Sequence, residues 1–234
     1  MHTTSTNTNS TTPNKSMLTS AYFNFFRDLT KNNAKTWFDE NRSRYEHDVK
    51  RPFHAMVSAW ITSVQSIEPT LHATPSDVIY RINRDIRFSA DKTPYKVQMA
   101  AHLNLRGKKA MGFPGVYLEV GAAGGAIAAG SYMPNKEELP ALRDLVLHEG
   151  ADLRAAISDP LFKKLYGELL GEESKILPAE FREAVVREPL VRKKQFYVWT
   201  TIPKSVFTSD SCIETLTEYY RVAKTMNDVL ARAL

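Results

Sequence analysis

The sequence predicts an α+β fold: a mainly antiparallel sheet of about five strands packed against N-terminal and C-terminal helices, in a single domain. Three observations predict it. Apolar residues recur at helical spacing through 20–66, alternate with a period of two from about residue 76, and return to helical spacing beyond about 135. Helices before and after one run of strands argue against the strand–helix alternation of a parallel sheet. Short links between successive strands favour a meander.

Each element has its own signal. Residues 1–17 are almost wholly Thr, Ser and Asn and lack the apolar material to fold, so they are expected to be a disordered tail ahead of a domain at 18–234. Phe25, Phe26 and Leu29 mark a first helix, and Asn32-Asn33 supplies its stop and the next N-cap. Trp37, Phe38 and Tyr45 continue a second. Pro52 starts or kinks a third that carries Phe53, Met56, Val57, Trp60, Ile61 and Val64. This aromatic-rich set reads as core.

Two strands are expected at 78–88 and 95–105, joined by the turn residues of SADKTP. Parity puts Ile82, Ile86 and Phe88 on one face of the first, with Arg84 intruding, and Arg81, Asp85 and Arg87 on the other. In the second, Tyr95, Val97, Met99, Ala101 and Leu103 oppose Lys96, Gln98, His102 and Asn104. Further strands fit 116–120 and 126–132, with a turn at Gly124-Gly125. A fifth fits 194–202. Between them, Asn135 to Glu138 resembles a capping box before a helix, followed by DLRAAIS and PLFKKLYGELL as two more. A long amphipathic helix closes the chain, capped by Ser209 or Asp210.

Composition excludes several classes. Hydrophobic residues make up 43% and charged residues 24%, the balance of a globular protein. One cysteine, Cys212, allows no internal disulfide and fits a reducing, cytoplasmic setting. No apolar run approaches membrane-span length and no secretory leader is evident, so Asn9-Ser10-Thr11 is not expected to act as a glycosylation sequon. The six histidines form no metal-ligand pattern and no dinucleotide or P-loop motif occurs, so neither metal nor cofactor is expected. Oligomeric state is not legible.

The net charge of +5 is uneven. Residues 78–110 carry eight Lys/Arg and two acids, while the rest of the chain has 23 bases and 24 acids. The excess surrounds RDIRFSADKTPYK (84–96) and favours an anionic partner. The candidate ligand-binding residues are Arg81, Arg84, Asp85, Arg87, Ser89, Asp91, Lys92, Tyr95 and Lys96. Asp85 could orient arginine forks toward a phosphate or carboxylate, with Ser89 and Lys92 adding a hydroxyl and a point charge. The competing reading is structural, because Arg–Asp ladders staple strands and Ser and Asp are ordinary turn formers. Ser89-Ala90-Asp91-Lys92 spells S-x-x-K, but in a turn and without its companion motifs.

The motifs F-F-x-x-L-x-x-N-N-x-x-x-W-F (25–38), Tyr45 with Pro52, R-I-x-R-D-x-R-F-S-x-D-K-x-P-Y-K (81–96), Gly130 to Pro134 and Leu142-Arg143 together resemble the uncharacterised conserved family designated domain of unknown function 2461. The resemblance spans roughly 20–234, with residues 184–195 departing from the family's pattern. It implies a single α+β domain and assigns no reaction.

The leading expectation is a module that binds a phosphate-bearing or other anionic small molecule at 81–96. One alternative is a nucleic-acid-binding domain, with Phe88, Tyr95, Phe113 and Tyr117 stacking on bases. Another is an enzyme acting on a phosphorylated substrate, with Asp85 or Asp91 as base and Lys92, Lys96 or Tyr95 as acid or stabiliser.

Overall fold

A computed structural model describes residues 17–234; the sequon and all of the expected tail but Met17 lie outside them. The fold is α+β, with one open sheet of four antiparallel strands in the order β1-β2-β3-β4: β1 (Gln98–Leu103), β2 (Gly115–Gly121), β3 (Gly124–Ser131) and β4 (Phe196–Pro203). The first three form a meander. The fourth returns to β3 after a helical excursion.

The N-terminal helices are α1 (Ser20–Lys31), α2 (Lys35–Glu40), a single turn α3 (Arg42–Arg44) and α4 (Arg51–Gln65). A π-helical turn, Tyr45–Lys50, runs directly into α4. Pro52 explains it: proline has no N–H for the bond to residue 48 and its ring crowds that carbonyl, so the backbone widens before it. A short helix α5 (Pro75–Val78) leads toward the sheet, held by a reciprocal cap between Thr74 and Asp77.

After β3 come α6 (Glu138–Ser158), α7 (Pro160–Tyr166), α8 (Ala179–Arg182), then α9 (Lys204–Phe207) and α10 (Cys212–Ala231). The capping box forms as read: Asn135 Oδ1 accepts from the Glu137 and Glu138 amides, and Glu138 accepts from the Asn135 amide. The two helices expected over 139–158 are one, kinked at Glu149. The next ends at Tyr166 because Gly167 turns to φ 77°, so GELL is not helical. Within 184–192 lie two 3₁₀ turns, Ala184–Val186 and Pro189–Arg192, which pack on each other; the second packs on α6, and Arg143 of α6 donates to the Lys193 carbonyl. The last helix opens at Cys212 behind Ser211, past the expected Ser209 or Asp210 cap.

Strand parity decides where the core lies. Met99, Ala101 and Leu103, Val116, Leu118 and Val120, Ile127 and Ala129, and Phe196, Val198 and Ile202 share one face of the sheet and are buried. That face packs under α1, α4 and α10. Tyr22, Phe25, Phe26, Phe53 and Trp60 are fully buried there, confirming the aromatic set as core, and the Tyr22 hydroxyl donates to the Val120 carbonyl at 2.9 Å. The β2–β3 hairpin turns at Ala122-Ala123, not at Gly124-Gly125, which lie within β3. Gly125 is required there, since a Cβ would come within 2.4 Å of the Glu119 carbonyl oxygen and 2.6 Å of the Phe207 ring. Among the described residues no helix is long and apolar enough to cross a membrane.

The main correction is the strand expected at 78–88. Residues 78–88 form no strand. They pair with the following segment in strand fashion only at two isolated bridges, Ile79 with Ala101 and Asn83 with Tyr95. The expected 95–105 strand shortens to β1. Two side chains take the place of a regular ladder. Asn33, expected as an N-cap, reaches across 62 residues: its Oδ1 accepts from the Tyr95 amide at 3.1 Å and its Nδ2 donates to the Tyr95 carbonyl at 2.9 Å. The Tyr95 ring stacks on Phe38 with centroids 4.0 Å apart. Arg84, the charge on the apolar side, turns back into its own loop. Its guanidinium donates to Asp91, to the Thr93 carbonyl at 3.2 Å, to the Thr93 hydroxyl and to Ser89 Oγ at 3.4 Å. With the ladder lost, parity fails beyond Ile82. Phe88, expected beside it on the apolar face, is 95% exposed.

Two outcomes follow for this segment. Asn33→Ala strips both partners from the Tyr95 backbone and should lower unfolding free energy by about 1–3 kcal/mol in urea denaturation; an unchanged midpoint would show the pairing to be dispensable. The Thr93 amide, and then the Arg84 guanidinium and Thr93 hydroxyl, hold the Asp91 carboxyl down to about 2. A depressed carboxylate stabilises the fold above its ordinary value and that contribution fades as pH falls through the depressed one. An NMR titration should therefore place the Asp91 midpoint near pH 2 and keep the loop intact at pH 4, and a midpoint at the ordinary value of about 3.9 would contradict the staple.

Candidate functional site

The face of the sheet away from the helices is not flat. Register aligns its residues in transverse rows. One row reads His102, Tyr117, Ala128, Trp199; beside it run Ala100, Glu119, Ala126, Thr201, and on the other side Gly115, Gly130, Tyr197. Large rings on β2 and β4 thus flank small residues on β3. The result is a cavity of about 580 Å³, with Ala128, Gly115 and Gly130 in its floor. This lies in the range of small-molecule sites. Tyr80, hydrogen-bonded through its amide to Ala100, closes one edge, and Leu170, bonded to the Tyr197 carbonyl, closes the other.

The walls are aromatic. Tyr117 and Trp199 stack with centroids 6.2 Å apart, Tyr80 leans on Tyr117 at 6.3 Å, and Tyr132 meets Tyr197 edge-on at 5.0 Å. Trp199 is 40% and Tyr132 47% exposed, so apolar rings stand at the mouth. Gly115 and Gly130 are there for space. A Cβ on Gly115 would lie 2.6 Å from His102 Nε2, and one on Gly130, whose φ is 109°, would lie 2.1 Å from the Phe196 carbonyl oxygen.

Three polar groups face this apolar space. Lys96 continues the outward parity of β1. Its ammonium sits 5.1 Å from the Tyr80 ring centroid and makes no hydrogen bond or ion pair among the described residues. Desolvation by burial, and then the nearby Arg81 charge, push the Lys96 amine below its ordinary range, while Glu119 opposes them. Glu119 Oε2 accepts from the Tyr117 hydroxyl at 2.8 Å and from the Gln98 amide at 3.3 Å, which fixes the carboxylate. Burial and then that carboxylate push the Tyr117 phenol far up, so it stays a proton donor. His102 approaches the Lys108 carbonyl through Nδ1 at 3.2 Å. A carbonyl only accepts, so Nδ1 carries the proton; burial lowers the imidazole's basicity and leaves Nε2 as an acceptor.

Of the nine residues expected to form a ligand site, this cavity takes only Lys96. Arg81 and Tyr95 line a second cavity beyond Tyr80. Arg84, Ser89 and Asp91 are bonded to one another or to Thr93. Arg87 pairs with Asp85 in the open, and Lys92 donates to the Ile86 carbonyl at 2.9 Å. Ser89 and Lys92 therefore bond elsewhere, without the serine–lysine contact that S-x-x-K chemistry needs. Asp85 and Asp91 are both held below the ordinary carboxylate range by their partners, which makes each a weaker base. Among the stacking candidates, Tyr95 is buried on Phe38, and Phe113 lies under the Arg106 guanidinium at 4.3 Å. Tyr117 is the one in the cavity. Among the described residues no group of three or more His, Cys, Asp or Glu is placed to hold a metal ion.

Sequence reasoning missed Tyr80, His102, Glu119 and Trp199. A signal existed: the outward positions of β2 read Tyr117 and Glu119, while those of β3 are all small. A strand that is small outward beside one that is large outward leaves a hollow.

Neither the curated proteins nor the solved structures contain a match to this chain. A family model does match, described as conserved hypothetical protein (DUF2461), over residues 21–228. With nearly all of the described fold inside that match, the chain belongs to the DUF2461 family.

Proposed function

We propose that the cavity on the open face of the sheet binds a small molecule with a flat apolar body and an anionic oxygen at one end. The observation that carries this reading is Lys96, a half-buried ammonium with no anionic partner within ion-pair distance, facing an aromatic cavity. A desolvated charge is costly until an opposite charge meets it. Glu119 is the carboxylate of the cavity, but its hydrogen bonds go to Tyr117 and Gln98. Since Arg81 also acts on Lys96, the local excess is positive and favours a carboxylate, sulfonate or phosphate oxygen. The body of the ligand lies over Ala128 and Gly130 and packs against Tyr117, Trp199 and Tyr197, where a ring gains from stacking. Glu119 then takes an N–H or O–H of the same ligand and sets its orientation. Anionic-ligand binding is thus retained from the sequence, with its centre moved from the loop tip to Lys96.

The dye 8-anilinonaphthalene-1-sulfonate has a flat body and one anionic group, and its fluorescence reports burial. Saturable binding at one site per chain is expected, with Lys96→Met weakening it roughly tenfold, the loss of one charge-assisted contact, and Lys92→Met leaving it unchanged. Equal affinity for the wild type and Lys96→Met would remove the assignment. Proton linkage offers a separate check. An anion beside Lys96 raises the depressed amine, so binding at about pH 9.5 should take up protons. Calorimetry in buffers of different ionisation enthalpy reads that uptake directly; proton release would mean that Lys96 does not meet the anion.

A further inference from the structure

The second cavity, on the far side of Tyr80, differs in kind. It holds about 470 Å³ between the Arg42–His54 helical stretch and residues 76–83. Its charged lining comprises Arg42, Lys50, Arg81 and Lys108 against the single carboxylate Glu46. Arg42 is neutralised by Asp39, outside the cavity, and Lys50 by Glu46 at 2.9 Å. Lys108 makes no ion pair: it donates to the Ser76 and Ile79 carbonyls, both at 2.7 Å, which fix its position, and Asp77 feels its charge without contact. Arg81 has no hydrogen bond or ion pair among the described residues, so its five donors are free.

Two uncharged donors stand beside them. Asn83 lies opposite Tyr95 in an isolated antiparallel bridge, and Arg81 precedes Asn83 by two residues, the spacing that returns a side chain to the same side of an extended backbone. All three line the cavity. The Tyr95 ring is fixed by Phe38 and its backbone by Asn33, yet its hydroxyl makes no hydrogen bond. The Asn83 amide makes none either. A guanidinium fork, an amide and a phenol with free donors, beside an ammonium that makes no ion pair, suit a group with several acceptor oxygens and about two negative charges.

We infer that this second cavity is a phosphate site, taking the phosphate of a small monoester through Arg81, Asn83 and Tyr95 with Lys108 supplying fixed charge. It is distinct from the aromatic cavity.

Calorimetric titration with inorganic phosphate and with glycerol phosphate, which has no flat apolar body, at constant ionic strength in chloride, tests this. One saturable site is expected. Arg81→Gln, at an exposed position where the fold is not at stake, should weaken it about tenfold or more. Tyr95→Phe keeps the ring on Phe38 and should weaken it severalfold. Lys109→Gln, on the same basic stretch but outside the cavity, should bind like the wild type. Absence of saturable binding overturns the inference, as does unchanged affinity in Arg81→Gln. An equal loss in Lys109→Gln also overturns it, since diffuse charge would then be the cause. Dye binding weakened more in Lys96→Met and phosphate binding weakened more in Arg81→Gln would separate the two sites.

Discussion

Tyr95 is held in place by a side chain that stands in for a strand. The Asn33 amide offers one acceptor and one donor, spaced like a peptide group, and the Tyr95 backbone uses both. Without them two half-buried polar groups would lose their partners, at about 1–3 kcal/mol each. This contact ties the N-terminal helices to the chain just before β1. Lys96 follows immediately, so the direction of its ammonium is set here. Arg81 and Asn83 are set indirectly, through the bridge between Asn83 and Tyr95. Both cavities thus trace to one pairing between residues 62 apart.

The sheet divides labour between its faces for a related reason. Its inner face is covered by α1, α4 and α10 and carries branched and aromatic residues. No helix among those contacts covers the outer face, where β3 has only glycine and alanine between two strands that bear rings. Small outward residues give up packing on that face. They leave a hollow that side chains of ordinary size would have filled.

The charged loop between Arg84 and Lys92 proves self-contained. Arg84 bonds to Asp91, Thr93 and Ser89, Arg87 to Asp85, and Lys92 to a carbonyl. These groups are largely exposed, and such pairs add little stability singly. Their effect is conformational: they give a loop without a ladder one shape. Its neighbours on either side, Arg81 and Lys96, are cations that face cavities without an ion-pair partner.

By itself the sequence determined the elements that rest on local periodicity. The helical core of Phe25, Phe26, Phe53 and Trp60, the parity of β1 with Met99 inward and Lys96 outward, and the Asn135 cap all follow from spacing along the chain, because periods of 3.6 and 2 are properties of the backbone. The density of charge in 78–110 was likewise legible. Tertiary structure decided the rest. Whether 78–88 forms a strand depended on whether a partner ladder existed, and Asn33 supplied a side chain instead. Which arginine is free depended on which carboxylates lay within reach, and Asp91 met Arg84 but left Arg81. The aromatic cavity depended on register, which set Ala128 between Tyr117 and Trp199, residues 82 apart in sequence. Hydrogen bonds and cross-strand neighbours are relations between distant residues, and no local period encodes them.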